Sequence, residues 1–278
     1  MHHREDLHIH TRVSDGDNTF QEILDTASRL RLARISITDH DALGTYRRDH
    51  PIADAAALGI ELVPGIELDT DYQQMEVHLL GYGIDIENAE LNAHLARVQA
   101  ERRQRIRLQA EALNRHFRSD VIDLSRIFTP ERDTVMKPHL YRFLRQQELV
   151  DDYAGFRRLL DEHARVDAKV FRPTLPQAIE LILHAGGMPV IAHPGYLKKH
   201  GIRLDMLVEE MIRFGLAGLE TDYPYWNPHK PDCSHFRDQK SERAMIAAIR
   251  ELASRFNLVT TRGSDAHDLE TFNRFNRD

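Results

Sequence analysis

The chain has 278 residues, of which 41% are hydrophobic and 29% charged, and its formal net charge is -7. That length can bury a sizeable core as one large domain or one domain with an insertion, and the apolar fraction is too high for a disordered chain. Net acidity argues against bulk nucleic-acid or membrane-surface binding, no apolar run nears the ~20 residues of a spanning helix, and a single cysteine, Cys233, excludes an internal disulfide framework. The expectation is a reduced, cytoplasmic protein with no membrane contact and no stable protein partner.

Glu5 to His10 reads as a first strand, followed by a helix over Thr19 to Leu32 with Phe20, Ile23, Leu24, Ala27 and Leu30 on one face. Ala33 to Thr38 is a second strand, and a helical Ala53 to Leu58 stops at Gly59. Ile60 to Ile66 and Glu76 to Tyr82 read as further strands. After a long interruption come Gly187 to Ala192, Ala217 to Thr221 and Leu258 to Thr261, each behind a helical pattern. Alternation of this kind predicts a parallel α/β arrangement, and its number of repeats favours a barrel or barrel-like sheet.

The interruption, residues 87-174, reads as an all-helical insertion set into a body formed by 1-86 and 175-278. It holds an Arg-rich helix (Leu91 to Phe117) and helical blocks at Lys137 to Leu149 and Tyr153 to Arg165. The Arg97 to Arg107 charge run suits a solvated helix face. Only six of the 37 basic residues are Lys, which leaves 31 Arg. Such a bias most often reflects genome composition, although Arg is also the better bidentate phosphate binder. His2 and His3 suit a leader or tag and stay outside the site reasoning.

Chemistry concentrates at the strand ends. Asp6-Leu-His8-Ile-His10 closes the first strand, and period-2 geometry points both imidazoles to one face, as two ligands of one metal require. Asp15 follows in a turn; His40 lies in Thr38-Asp39-His40-Asp41; Glu67 ends Gly65-Ile66-Glu67; His78 sits on the fourth strand. His193 and the Asp265-Ala-His267 pair follow the later strands. A lone His after a strand is more often a hydrogen-bonded loop residue than a ligand. An ordered set of nine imidazoles and carboxylates is another matter, because barrel strand ends converge on one face. Mixed His and carboxylate donors suit borderline divalent metals, and the lack of Cys ligands argues against a closed structural zinc site.

The blocks Asp6-Leu-His8-Ile-His10, Ser14-Asp15-Gly16, Ile37-Thr38-Asp39-His40-Asp41, Gly65-Ile66-Glu67, His78 to Gly83, Ala192-His193-Pro194-Gly195 and Gly263 to His267 together resemble the PHP (polymerase and histidinol phosphatase) family. Lys137-Pro138-His139-Leu140 and the helical insertion are similar to the TrpH-like metal-dependent phosphoesterases within it. The resemblance implies a distorted seven-stranded (β/α) TIM-like barrel, amidohydrolase-like, with up to three divalent metals: manganese first, zinc or iron as alternatives. It implies that His8, His10, Glu67 and Asp265 hold one metal, that Glu67 bridges to a second held by His78 and His193, and that Asp15, His40 and His267 hold a third. A metal-bridging hydroxide would then attack phosphorus, with Asp265 and His193 among the catalytic residues.

Lys137 is expected as a cationic clamp on the substrate phosphate, and His139 as a clamp or leaving-group acid; alternatively Lys-Pro-His simply starts a helix. Asp39 and Asp41 are candidates to orient His40, or else turn and cap residues. The loop Glu220 to Lys230 carries Tyr223, Tyr225 and Trp226, with Tyr223 and Trp226 candidates for stacking on a base or walling off a sugar. Arg172 and Arg203 are further candidates for the phosphate clamp. The expected hydrolase is a metal-dependent phosphoesterase acting on a small phosphorylated substrate: a nucleotide 3′-phosphate, a short RNA end or a sugar cyclic phosphate diester. The alternatives are a metal-dependent amide or lactone hydrolase, and a non-catalytic metal- or nucleic-acid-binding module.

Overall fold

The computed structural model describes residues 4-48, 50-199, 201-226 and 236-277. The chain begins with β1 (Glu5–Ile9), α1 (Phe20–Arg29), β2 (Arg34–Ile37), α2 (Gly44–Arg47), α3 (Pro51–Ala57) and β3 (Glu61–Leu62). A hairpin of β4 (Gly65–Tyr72) and β5 (Met75–Tyr82) follows. Three helices come next, α4 (Ala89–Phe117), α5 (Lys137–Gln146) and α6 (Tyr153–His163). The remainder runs α7 (Leu175–His184), β6 (Met188–Ile191), α8 (Gly195–Lys199), α9 (Leu204–Ile212), β7 (Gly218–Asp222), α10 (Gln239–Arg255), β8 (Val259–Arg262) and α11 (Leu269–Asn276).

The α/β class is as expected, but the seven-stranded barrel is not. Eight strands form two open sheets, a parallel β1-β2-β3 and a mixed β4-β5-β6-β7-β8. Neither closes. Single bridges, Ile9 to Ala266 and His40 to Glu67, are the isolated pairings that bring the sheets together at the strand ends. Two local features account for the difference. First, β3 is only two residues long, and the segment read as one strand from Ile60 to Ile66 breaks before β4. Second, β4 turns straight back on β5 through Gln73 and Gln74, both in the left-handed region (φ 54 and 67). A two-residue loop of that conformation is a hairpin turn. No crossover helix follows β4, and β5 runs antiparallel to both neighbours.

Side chains alternate across the strands as pleating requires. Leu79 and Ile191 join the main core with Ile23, Ile179 and Leu207 from the helices, whereas the adjacent Leu80 and Val190 face a second cluster with Leu7 and Tyr82. Helices α4 to α6 surround a third cluster that includes Ile106, Leu113, Leu140, Phe143 and Phe156. The first turns of α4 belong instead to the main core through Leu91 and Leu95. Helix α4 is thus the beam that joins the helical segment to the sheets.

Candidate metal centre

The strand ends converge on Glu67, a buried carboxylate near the start of β4. Its Oε2 lies 3.3 Å from Nε2 of His8, 3.3 Å from Nε2 of His10 and 3.2 Å from Nε2 of His40. Its Oε1 lies 3.0 Å from Nδ1 of His78 and 3.2 Å from Nε2 of His193. Asp265 Oδ1 is 3.0 Å from His10 and 3.4 Å from His8. Asp15 Oδ1 is 3.2 Å from His267 and 3.8 Å from His10. All nine residues singled out in the sequence therefore lie in one cluster.

The donor atoms fall into overlapping groups. His8, His10, Glu67 and Asp265 form one; His10, Asp15, His40 and His267 form another; His40, Glu67 and His78 form a third. His10, His40 and Glu67 are each shared between two of these groups. Buried atoms including His8 Nε2, both ring nitrogens of His10, Asp15 Oδ1 and Glu67 Oε2 have no hydrogen-bond partner among the described residues. Buried polar atoms are nearly always paired, so orphans converging within bonding range of one another fit the donor set of divalent cations.

Electrostatics supports that fit. Burial opposes charging of His40 and His267, but Glu67 and Asp69 hold His40 up to about 9, and Asp15 with Asp265 holds His267 up to about 10. Burial likewise pushes Asp15, Glu67 and Asp265 upward, yet the surrounding imidazoles hold all three below the ordinary carboxylate range. His8, His40, His78 and His267 are thus held as imidazolium groups by the carboxylates around them. Those protons must leave when cations bind.

Backbone conformation places several donors. His193 (φ 31) and Asp265 (φ 50) sit in the left-handed region just past β6 and β8. Asp and His are among the residues that tolerate it best. Gly263 is required by space, since a Cβ there would stand 2.3 Å from His8 Cβ and 2.5 Å from Glu220 Oε1. Gly16 is required likewise, because its Cβ would meet the His10 carbonyl at 2.5 Å. Asp6, buried below the site, accepts from the backbone N–H groups of His8 and Ser264 and from Asn276 Nδ2, which ties β1 to the end of β8.

The residues that orient the imidazoles were not those expected. Asp69 Oδ1 lies 3.0 Å from His40 Nδ1. Its other oxygen accepts from Arg102 at 2.8 Å, and the same guanidinium bonds Asp41. Asp39 instead gathers Thr11, Ser14 and Thr45, which makes it the knot of the Asp15 turn. Glu220 Oε1 is 3.0 Å from His8 Nδ1, and its Oε2 accepts from the His193 backbone at 2.7 Å. In both cases the far ring nitrogen is fixed and the near one faces the cluster. Glu220 and Arg102 carried no signal in the sequence beyond being polar residues in an expected strand and helix, and Asp69 lay between two expected strands with no motif around it.

The substrate candidates separate. Lys137, at the first turn of α5, lines a cavity of about 320 Å³ with Arg105, Arg172, Asp69 and Glu76. His139 does not face it as a free acid. Its Nδ1 accepts from the Met136 backbone at 2.9 Å, so Nε2 carries the proton that goes to the Ser14 carbonyl at 2.9 Å. Burial, reinforced by Arg132, holds this ring neutral with its pKa lowered to about 3. It pins the Asp15 turn to α5. His139→Ala is therefore expected to lower stability by about 1–3 kcal/mol, the cost of two unsatisfied buried groups. A thermal melt indistinguishable from the parent would refute this structural assignment.

Tyr223 is buried and donates to Asp265 Oδ2 at 2.9 Å, so it braces a candidate ligand. Trp226 is half-buried, with its backbone N–H on Glu242 at 2.9 Å; Asn227 to Lys230 of the same loop, and Cys233, lie outside the described residues. Arg172 bonds Glu76 beside the cavity, whereas Arg203 pairs with exposed Asp205. Among the described residues no helix is long and apolar enough to cross a membrane.

Comparison with known proteins agrees with this geometry. The PHP domain profile matches residues 6–169. The chain is 29% identical over 266 residues to the 5′-3′ exoribonuclease Rnm of Escherichia coli, spanning 94% of this chain and 84% of that one. It is 28% identical to a 3′,5′-nucleoside bisphosphate phosphatase of Chromobacterium violaceum, over 94% and 86% of the two chains. It is 29% identical to a phosphoribosyl 1,2-cyclic phosphate 1,2-diphosphodiesterase of Eggerthella lenta, over 95% and 94%. A solved amidohydrolase from Chromobacterium violaceum, with bound sulfate and no metal, superposes with a TM-score of 0.72 at 26% identity, covering 95% of this chain and 88% of the other.

Proposed function

From the membership of this chain in the PHP domain family, and hence its identity as a metal-dependent phosphoesterase, we propose that its substrate is a phosphorylated nucleotide or the phosphorylated end of a short RNA. The observation that carries this reading is the cationic cavity of Arg105, Lys137 and Arg172 opening beside Asp69 and Glu76, which flank His78 of the cluster. Relatives that act on a nucleoside bisphosphate and on RNA support it. A carbonyl substrate would leave Arg105 and Lys137 without a counter-charge, which disfavours amide or lactone hydrolysis.

The proposed ligand sets are His8, His10, Glu67 and Asp265; Glu67, His78 and His193; and Asp15, His40 and His267. Bound divalent metals would supply an activated water and neutralise charge on the phosphoryl oxygens. The chain's own residues do the rest. Glu220 and Asp69 fix the tautomers of His8 and His40, and Tyr223 holds Asp265. Lys137 and Arg105 grip non-reacting phosphate oxygens, which positions the phosphorus against the cluster. Asp265 and His193 act through their place in the ligand sets.

The test is phosphate release by Mn2+-loaded protein from 3′,5′-bisphosphonucleosides, short 5′-phosphorylated RNA and cyclic sugar phosphates, with and without a chelator and with a downstream phosphatase to separate diester opening from monoester removal. Chelator-sensitive turnover on the first two classes is expected. Turnover confined to the sugar phosphate would overturn the nucleotide reading.

Metal uptake should also release protons. His40 and His267, held at about 9 and 10, are protonated at pH 7.5 in the metal-free protein and must be neutral as ligands. Affinity is therefore expected to rise with pH up to about 10, with at least one proton released per metal in the group formed by His10, Asp15, His40 and His267. Calorimetry of Mn2+ binding in buffers of different ionisation enthalpy reads this number, and a zero result contradicts the assignment.

A further inference from the structure

A second cavity, of about 310 Å³, lies farther along the helical segment and is lined by Arg105, Lys137, Tyr153, Phe156, Arg157 and Arg165, among others. Arg105, Lys137 and Tyr153 also line the cavity beside the cluster, so the two share a wall. Among the described residues Lys137, Arg157 and Arg165 form no ion pair, and Asp161 is the one carboxylate of the second lining. Partial burial and then Arg105 hold the Lys137 amine below its usual pKa, with Arg157 and Arg172 acting in the same direction. Cations crowded this closely, with Asp161 the single carboxylate of their shared lining, are arranged for an anion that arrives with the substrate.

Tyr153 adds a flat surface. It is 46% exposed, and one side of its ring is fixed by Tyr141 (5.3 Å between centroids) and Phe156 (5.6 Å). An aromatic ring anchored from behind and flanked by Arg side chains is the arrangement on which nucleobases stack while their phosphates pair with the cations. Each cavity lies near the lower end of the size range for small-ligand pockets. One mononucleotide fills the first and leaves the second, with its own Arg pair, unused.

We propose that the two cavities form a continuous track for single-stranded RNA, in which the second cavity takes the nucleotide next to the one held at the metal cluster, with its base on Tyr153 and its phosphodiester on Arg157 and Arg165. This rests on the phosphoesterase reading for the role of the first cavity. The ligand class is an oligoribonucleotide of at least two nucleotides, and the track sets a preference for oligomers over mononucleotides.

The probe is a 5′-phosphorylated, phosphorothioate-linked oligoribonucleotide of one, two, three or five residues with a 3′ fluorophore, titrated by anisotropy against Mn2+-loaded and chelator-treated full-length protein. Affinity is expected to rise about tenfold between one and three nucleotides, the gain from one stacked base at roughly 1–3 kcal/mol, and then to level off. Arg157→Ala/Arg165→Ala should cut trinucleotide affinity and reduce the slope of log K against log salt by about 0.7, since both side chains neutralise one phosphate and each neutralised phosphate on a single strand contributes about that much. Tyr153→Ala should remove the length dependence while keeping that salt slope. Equal affinity for one and three nucleotides overturns the track, as does an unaltered slope in the double variant, and so does equal competition by a doubly phosphorylated peptide. Length-dependent binding without turnover on any substrate would uphold the track and refute only the reaction; turnover of a bisphosphonucleoside with no length dependence would do the reverse.

Discussion

Asp265→Asn should lower turnover by about a thousandfold, roughly 4 kcal/mol of transition-state stabilisation, and should reduce the metal content of the purified protein. The substitution keeps the size of the side chain, and Asn tolerates the left-handed backbone that residue 265 adopts at φ 50. It removes only the charge, from an oxygen 3.0 Å from His10 and 3.4 Å from His8. Tyr223→Phe serves as the graded control. It deletes the hydrogen bond to Asp265 Oδ2 while leaving the carboxylate, so a loss nearer tenfold is expected. Metal analysis and steady-state rates read both variants. Full activity with full metal content in Asp265→Asn would remove this residue from the centre.

The other large effect is on stability. Arg102 is buried in α4 and bonds Asp69 and Asp41, two buried carboxylates that otherwise face each other. Removing one member of a buried charge network leaves the rest uncompensated, at a cost of about 3–5 kcal/mol. Arg102→Ala should therefore lower Tm by on the order of 10 °C. It should also weaken metal binding roughly 10–100-fold, because Asp69 is then free to turn from His40 Nδ1. Arg102→Lys restores the charge but reaches only one carboxylate well, and an intermediate melt is expected. A melt of Arg102→Ala matching the parent would show that the network does not hold the helical segment to the site.

The metal-binding candidates were readable because each sits in a short motif: two His spaced by one on a strand, an Asp in a Ser-Asp-Gly turn, an Asp-Ala-His after the last strand. Local spacing suffices to put such side chains on one face. The partners that orient them were not readable, since His8 and Glu220 lie 212 residues apart, on strands of two different sheets that come together only at their ends. Asp69 fell between two expected strands with no motif around it, and Arg102 was one of many Arg in a charge run that read as solvated. The barrel expectation failed at Gln73-Gln74. Hairpin loops with two left-handed residues usually announce themselves with Asn-Gly or Asp-Gly, and here neither Gly nor Asn is present. His139, a motif residue read as chemistry, has both ring nitrogens committed to the Met136 and Ser14 backbone instead.

The cluster also sets a schedule. His8 and His10 emerge early in synthesis, Glu67 and His78 soon after, and Asp265 and His267 more than 180 residues later. A nascent chain thus carries four of the cluster's six imidazoles long before the last carboxylate exists to complete the set. If the proposed ligand sets hold, the phosphoesterase cannot complete its centre until translation has passed residue 267.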